Sequence, residues 1–232
     1  MGTKRLLGAT LAGVPLLLVT GCGSASEPSP PAGVDGLVIP TPSVDPDDFG
    51  AGVDNPWLPL PVGATWEYDV SGARPGAATV TTMEGPDIEG VATTAVRTVT
   101  VPERGDRTVV TDFYAQDDDG NVWWFGREGE WQAGAGDAEA GLAMAADPRV
   151  GDGYRQAYVP GAVDRRAEVL GVDHRRTVPS GEYADLVVVE VRSAIAGVTS
   201  EAAYAEGIGL VALETVSGGP ETQLGLVAYD EP

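Results

Sequence analysis

The stretch Ala64-Thr65-Trp66-Glu67-Tyr68-Asp69-Val70 sends Ala64, Trp66, Tyr68 and Val70 to one side and Thr65, Glu67 and Asp69 to the other. A period of two is that of a half-buried strand, whose successive side chains face opposite ways. Val187, Val189 and Val191 alternate with Val188, Glu190 and Arg192 in the same manner. Similar runs occupy 77–84, 91–101, 106–116, 121–126, 153–159, 163–178, 199–205, 208–216 and 222–229, with Gly, Pro and Asp between them. Strands at this spacing predict a mainly antiparallel all-β domain. One segment departs from the pattern: Asp137 to Ala146 reads as a short helix, ended by Asp147-Pro148 and weakened by Gly141. The expected architecture is a single curved sheet, half-barrel or sandwich over residues 53–232, with at most one short helix.

Thr108 to Gln116 and Asn121 to Phe125 form the clearest hairpin, because Asp117-Asp118-Asp119-Gly120 favours a tight reversal. Trp123, Trp124 and Phe125 then put aromatics on both faces of the second strand. Such a strand either lies under a covering layer or lines a cavity, and both remain open at this point.

The chain has 232 residues, with 14 Lys+Arg against 35 Asp+Glu, a net charge of −21 and 43% hydrophobic residues. That is enough apolar material for a real core. The missing basic excess argues against a nucleic-acid partner. One His and one Cys exclude a thiolate or imidazole zinc cage and an internal disulfide. The single cysteine has a better explanation in what precedes it. Lys4-Arg5 are followed by an uncharged run, Leu6 to Val19, and then by Val19-Thr20-Gly21-Cys22. This resembles the lipobox of bacterial lipoproteins, which implies cleavage before Cys22 and a diacylglycerol on its sulfur. The uncharged run would span about 21 Å as a helix, too short for a hydrocarbon core of about 30 Å. Residues 1–21 are thus expected to be a signal peptide, and the protein to be exported and lipid-anchored at the outer face of the bacterial cell membrane. Removing Lys4 and Arg5 shifts the charge from −21 to −23 and leaves no lysine. Residues 22–52, rich in Pro, Ser and Gly, read as a disordered tether, with Leu37-Val38-Ile39 docking on the domain edge.

Asn55-Pro56-Trp57 with Gly63, Thr65-Trp66 and Tyr68, the hairpin Tyr114 to Gly126, Val150 to Gln156 and Tyr204 to Val211 carry a resemblance. Together they resemble an uncharacterised family of bacterial secreted proteins and lipoproteins with NPWxPLxxGxTWxY and YAQDxDGNVWxFG motifs, over residues 53 to 216. The resemblance implies a domain boundary and no assigned activity. A looser likeness, of architecture alone, is to the curved-sheet envelope lipoproteins LolA and LppX, whose half-barrel holds lipid.

The candidate ligand-binding residues are Trp66, Tyr68, Tyr114, Trp123, Trp124 and Tyr154, lining a concave face for an apolar or amphipathic molecule. Ordinary core packing is the competing account, and a ligand site of this kind needs a cavity of at least about 300 Å³. Asp117, Asp119 and Asn121, with Glu128, fall in an EF-hand register. Its Gly position is Val122, so an acidic turn explains them better than Ca²⁺, which stays a weak alternative as the sole cofactor. His174 has no partner in sequence, and Arg165-Arg166 with Arg175-Arg176 read as a solvated cationic patch. No catalytic residue is assigned. Paired carboxylates are the one catalytic class left, and 35 acids make a close pair uninformative. The readings carried forward are a ligand-binding module, an acidic module that contacts an envelope protein, and a carboxylate-dependent hydrolase.

Overall fold

The computed structural model of the chain describes residues 44–232. The expected signal peptide, Cys22, most of the tether and the Leu37-Val38-Ile39 contact lie outside the described residues.

The described residues form β1 (Thr65–Gly72), β2 (Gly76–Ile88), β3 (Val91–Pro102), β4 (Thr108–Gln116), β5 (Val122–Arg127), β6 (Trp131–Gln132) and β7 (Glu139–Met144). These continue into β8 (Gly153–Val159), β9 (Val163–Val178), β10 (Gly181–Ser193), β11 (Val198–Ala205), β12 (Gly209–Ser217) and β13 (Thr222–Asp230). Neighbours in sequence pair antiparallel, except that the two-residue β6 hangs off β5 and β5 pairs onward with β7. The first strand then pairs with the last, from Thr65↔Asp230 to Gly72↔Thr222. That pairing closes the meander into a 12-stranded antiparallel barrel.

The closed barrel corrects the expectation of an open curved sheet, half-barrel or sandwich. An open sheet would leave β1 and β13 with rows of unpaired backbone groups, and their mutual pairing removes both edges. The expected helix at 137–146 is also corrected, because Glu139–Met144 is β7 and no α-helix occurs among the described residues. Backbone packing overrides the mild helix propensity there. A Cβ at Gly141 would come within 2.4 Å of the Gln156 backbone, so only glycine lets this strand approach β8 so closely.

The alternation read in single strands extends across the sheet. Val70, Leu224, Leu213, Ala202, Val189 and Val169 are successive cross-strand partners and form one apolar row on the side of the inner core and cavity. One residue further along each strand, Ser71, Gln223, Glu214, Glu201, Glu190 and Glu168 form a polar row facing outward. Arg176 lies 3.7 Å from Glu201 and 3.8 Å from Glu214, and Arg192 pairs with both Glu168 and Glu190. Part of the acid excess is therefore a ladder of glutamates on the outer wall, bracketed by two guanidiniums.

A second apolar cluster sits outside the ring, over β3, β4 and β5. Phe113, Phe125, Ile88 and Val91 are its largest buried members, joined by four alanines and covered by Val44, Phe49 and Trp123. Phe49 meets Phe125 edge-on at 5.4 Å and Trp123 at 6.4 Å. Pro46–Asp48 makes one 3-10 turn, capped by Asp45, and Asp118 N donates to Asp48 O at 2.8 Å. The residues from Val44 to Phe49, which the sequence places at the end of the tether, thus lie along the barrel wall.

Candidate ligand cavity

Side chains fill an eight-stranded barrel, whereas twelve strands enclose more width than they can close. The segment 55–60 occupies part of that width and stoppers one end. Asn55, fully buried, is its hub. Its amide Nδ2 donates to Gly120 O at 2.8 Å and Ala145 O at 3.2 Å, while Oδ1 accepts from Trp57 N at 2.9 Å and Leu58 N at 3.0 Å. Gly207 N donates to Pro56 O at 2.7 Å, tying the stopper to the β11–β12 turn. Leu58, Pro59 and Leu60 then face into the barrel.

Behind this stopper lies a cavity of about 220 Å³. Leu58, Leu60, Val80, Val96, Ile208 and Leu210 supply its apolar wall. Trp66, Tyr68, Tyr114, Trp124 and Tyr204 add aromatic surface, and Asp112, Arg127, Gln156 and Arg165 add polar groups. Trp66 Nε1 donates to Ile208 O and Tyr68 OH to Leu210 O, each at 2.8 Å. These bonds spend the polar ends of both residues and leave their rings as wall.

Two guanidiniums flank Trp124, with Arg127 Cζ 5.3 Å and Arg165 Cζ 5.5 Å from the ring centroid, within cation–π range. Their situations differ. Arg127 is held by Asp112 in a two-pronged pair, Nε to Oδ1 at 2.8 Å and Nη2 to Oδ2 at 3.1 Å. Burial works against the Arg127 charge, but the Asp112 hydrogen bond and charge outweigh it and raise its pKa. Arg165 donates through Nε to Gln156 Oε1 at 2.9 Å, and Gln156 is fixed by Ala143 O at 3.2 Å. Among the described residues no carboxylate pairs with Arg165. The Tyr114 and Tyr204 hydroxyls likewise have no hydrogen-bond partner among the described residues. Burial raises the pKa of both; the Asp112 charge raises that of Tyr114 further, and the charge of Arg165 works the other way on both.

Of the six expected ligand residues, Trp66, Tyr68, Tyr114 and Trp124 come together on the cavity wall. Tyr154 is buried in the inner core off the cavity, its hydroxyl without a partner. Trp123 faces the other way, under Phe49, with Nε1 donating to Asp117 Oδ2 at 2.7 Å. The face expected to be open and concave is the inner wall of a closed barrel with a partly open mouth, and the cavity falls below the 300 Å³ bound. A long acyl chain has no room, but a smaller molecule does.

The weak cation candidates are spent on the hairpin turn. Asp117 Oδ1 accepts from Asn121 N at 2.8 Å, and Asn121 Oδ1 accepts from Ala146 N at 3.0 Å. Asp119 is exposed beside them, and no group of three or more metal-ligating side chains occurs among the described residues. His174 lies over Gly171, where a Cβ would meet its ring at 2.1 Å, and it is not among the residues that line the cavity.

Sequence reasoning passed over Asp112, Arg127, Gln156, Arg165 and Tyr204. Parity held the signal for more than one of them: Arg165 shares the inward register of Ala167 and Val169 while Arg166 points out to Asp164, and Asp112 lies two residues before the inward Tyr114. Arg127 had no such signal. A register shift between Phe113 and Tyr114, with Gly126 at φ 150°, turns it inward beside Trp124.

No family model matches the sequence, and no curated protein matches it either. Two solved structures are similar in shape. A Bacteroides fragilis protein described as exported, with a YmcC-like fold, shares 11% identity at a TM-score of 0.45, covering 75% of this chain and 99% of its own. A Parabacteroides distasonis protein described as a lipoprotein shares 12% identity at 0.41, covering 75% and 97%. At these values neither likeness carries an argument about this chain.

Proposed function

We propose that the chain is an exported lipoprotein, held at the outer face of the cell membrane by a diacylglyceryl group on Cys22, and that its barrel is a non-catalytic binding module for a small ligand with an apolar body. The anchor rests on sequence: the basic Lys4-Arg5, the uncharged run and the small residues before Cys22. A diacylglycerol supplies two chains, the number that stable anchoring takes.

One observation carries the binding half. The cavity wall combines apolar surface with guanidinium and hydroxyl donors that the protein itself leaves unspent. Catalysis by paired acids is disfavoured at the same place, because Asp112 is the one carboxylate on that wall and it is bound to Arg127.

Native mass spectrometry of the protein isolated from its own envelope tests both halves. The expected spectrum shows a diacylglyceryl mass that vanishes in Cys22→Ala, and a second, dissociable mass of a small molecule. An unacylated chain overturns the anchor, and an empty barrel in every preparation overturns the binding module.

A further inference from the structure

We infer that the cavity recognises a monocarboxylate, with the ligand's carboxylate on Arg165, Tyr114 and Tyr204 and its apolar body against Leu58, Leu60, Val80, Val96, Ile208 and Leu210. This inference rests on the proposed binding function and names the class of ligand.

Charge balance inside the barrel points to an anion. Of the two guanidiniums on the wall, Arg127 is neutralised by Asp112, and Arg165 has only the neutral Gln156 amide and the Trp124 face. Charges drawn partly out of bulk water are normally paired, so the half-buried Arg165 leaves the cavity wall one negative charge short. The donor inventory agrees. Arg165 Nε is spent on Gln156, and its terminal nitrogens remain as donors of fixed, planar geometry suited to a two-oxygen acceptor. Tyr114 and Tyr204 bring two further hydroxyls to the same wall, with no acceptor among the described residues. Ring stacking holds one of them in place, since Tyr114 lies nearly parallel to Trp124 at 6.4 Å.

The charge count also sets the valence. A single uncompensated guanidinium matches one negative charge, and Asp112 on the same wall opposes a second, which favours a carboxylate over a phosphate dianion. Size follows from volume. At the packing density of protein interiors, 220 Å³ takes a molecule of about ten non-hydrogen atoms. Octanoate has that size and chemistry, and it serves as the probe.

Calorimetric titration of the full chain with octanoate and, separately, with octan-1-ol and octyl phosphate tests the inference. The expected result is one octanoate per chain, bound at least about tenfold more tightly than the alcohol, as loss of a charged hydrogen bond implies. Arg165→Met is expected to weaken octanoate by a similar factor and to weaken the alcohol much less, so that the preference for the acid is lost. Tyr114→Phe and Tyr204→Phe are each expected to weaken octanoate about threefold. Should Arg165→Met fail to fold, the acid and alcohol compared on the unaltered protein still decide. Equal affinity for the two overturns anion recognition and leaves the binding module standing. Tighter binding of octyl phosphate than of octanoate overturns the choice of a carboxylate. No binding of any of the three overturns both the inference and the function it rests on.

Discussion

Trp123 and Trp124 are consecutive residues on opposite sides of one wall. Trp123 packs against Phe49 and donates to Asp117, in an outer cluster where apolar side chains meet one another and polar atoms are spent locally. Trp124 faces inward between Arg127 and Arg165, beside a cavity with donors to spare. The same residue type in the same strand is packing material on one side and ligand surface on the other. An aromatic therefore marks a site only where the groups around it remain unspent.

The two sides should respond differently to substitution. Phe125, completely buried in the outer cluster, is expected to give the largest effect. Phe125→Ala should cost about 3–5 kcal/mol in urea unfolding, with octanoate affinity unchanged in the molecules that remain folded. A parallel loss of affinity would break the separation of the two sides.

Asp112→Asn attacks the inner side by leaving Arg127 without its carboxylate. Its expected cost is about 3 kcal/mol. It should also tighten octanoate severalfold, because the wall then carries two uncompensated cations.

Alkaline unfolding sharpens the contrast, since burial raises the pKa of Tyr68, Tyr114 and Tyr204 on the inner side. In the unfolded chain these tyrosines ionise near pH 10, whereas burial in the barrel holds each of them neutral to higher pH. Their contribution is thus fully present below pH 10 and is lost as pH rises above it, with a slope of at most about 1.4 kcal/mol per pH unit for each. Tyr114→Phe with Tyr204→Phe should flatten that slope, measured by chemical unfolding between pH 9 and 11. The smallest effect is expected from Trp123→Phe, which loses the Asp117 hydrogen bond for about 1 kcal/mol and leaves octanoate binding as it was.

Strand character was legible because period two is clean in β1, with Trp66, Tyr68 and Val70 buried in alternation, and persists in sequence in β10 even though Leu186 to Val189 are all buried there. Closure was not, because it depends on Thr65 meeting Asp230, and no local pattern announces which strands share an edge. Four of the six expected ligand residues reached the cavity since alternation sets their direction. Trp123 did not, because the strand is apolar on both faces and parity alone cannot say which face is inside. The cationic half of the site hid within a doublet. Arg165 and Arg166 look like one solvated patch in sequence, and the pleat sends them to opposite sides of the wall.

A crystal structure of the protein grown with octanoate tests the central claim most directly. The account predicts the carboxylate oxygens within hydrogen-bond distance of the Arg165 guanidinium and the Tyr114 and Tyr204 hydroxyls, with the chain running toward Leu58 and Leu60. A barrel that stays empty, or a carboxylate turned away from Arg165, would contradict it.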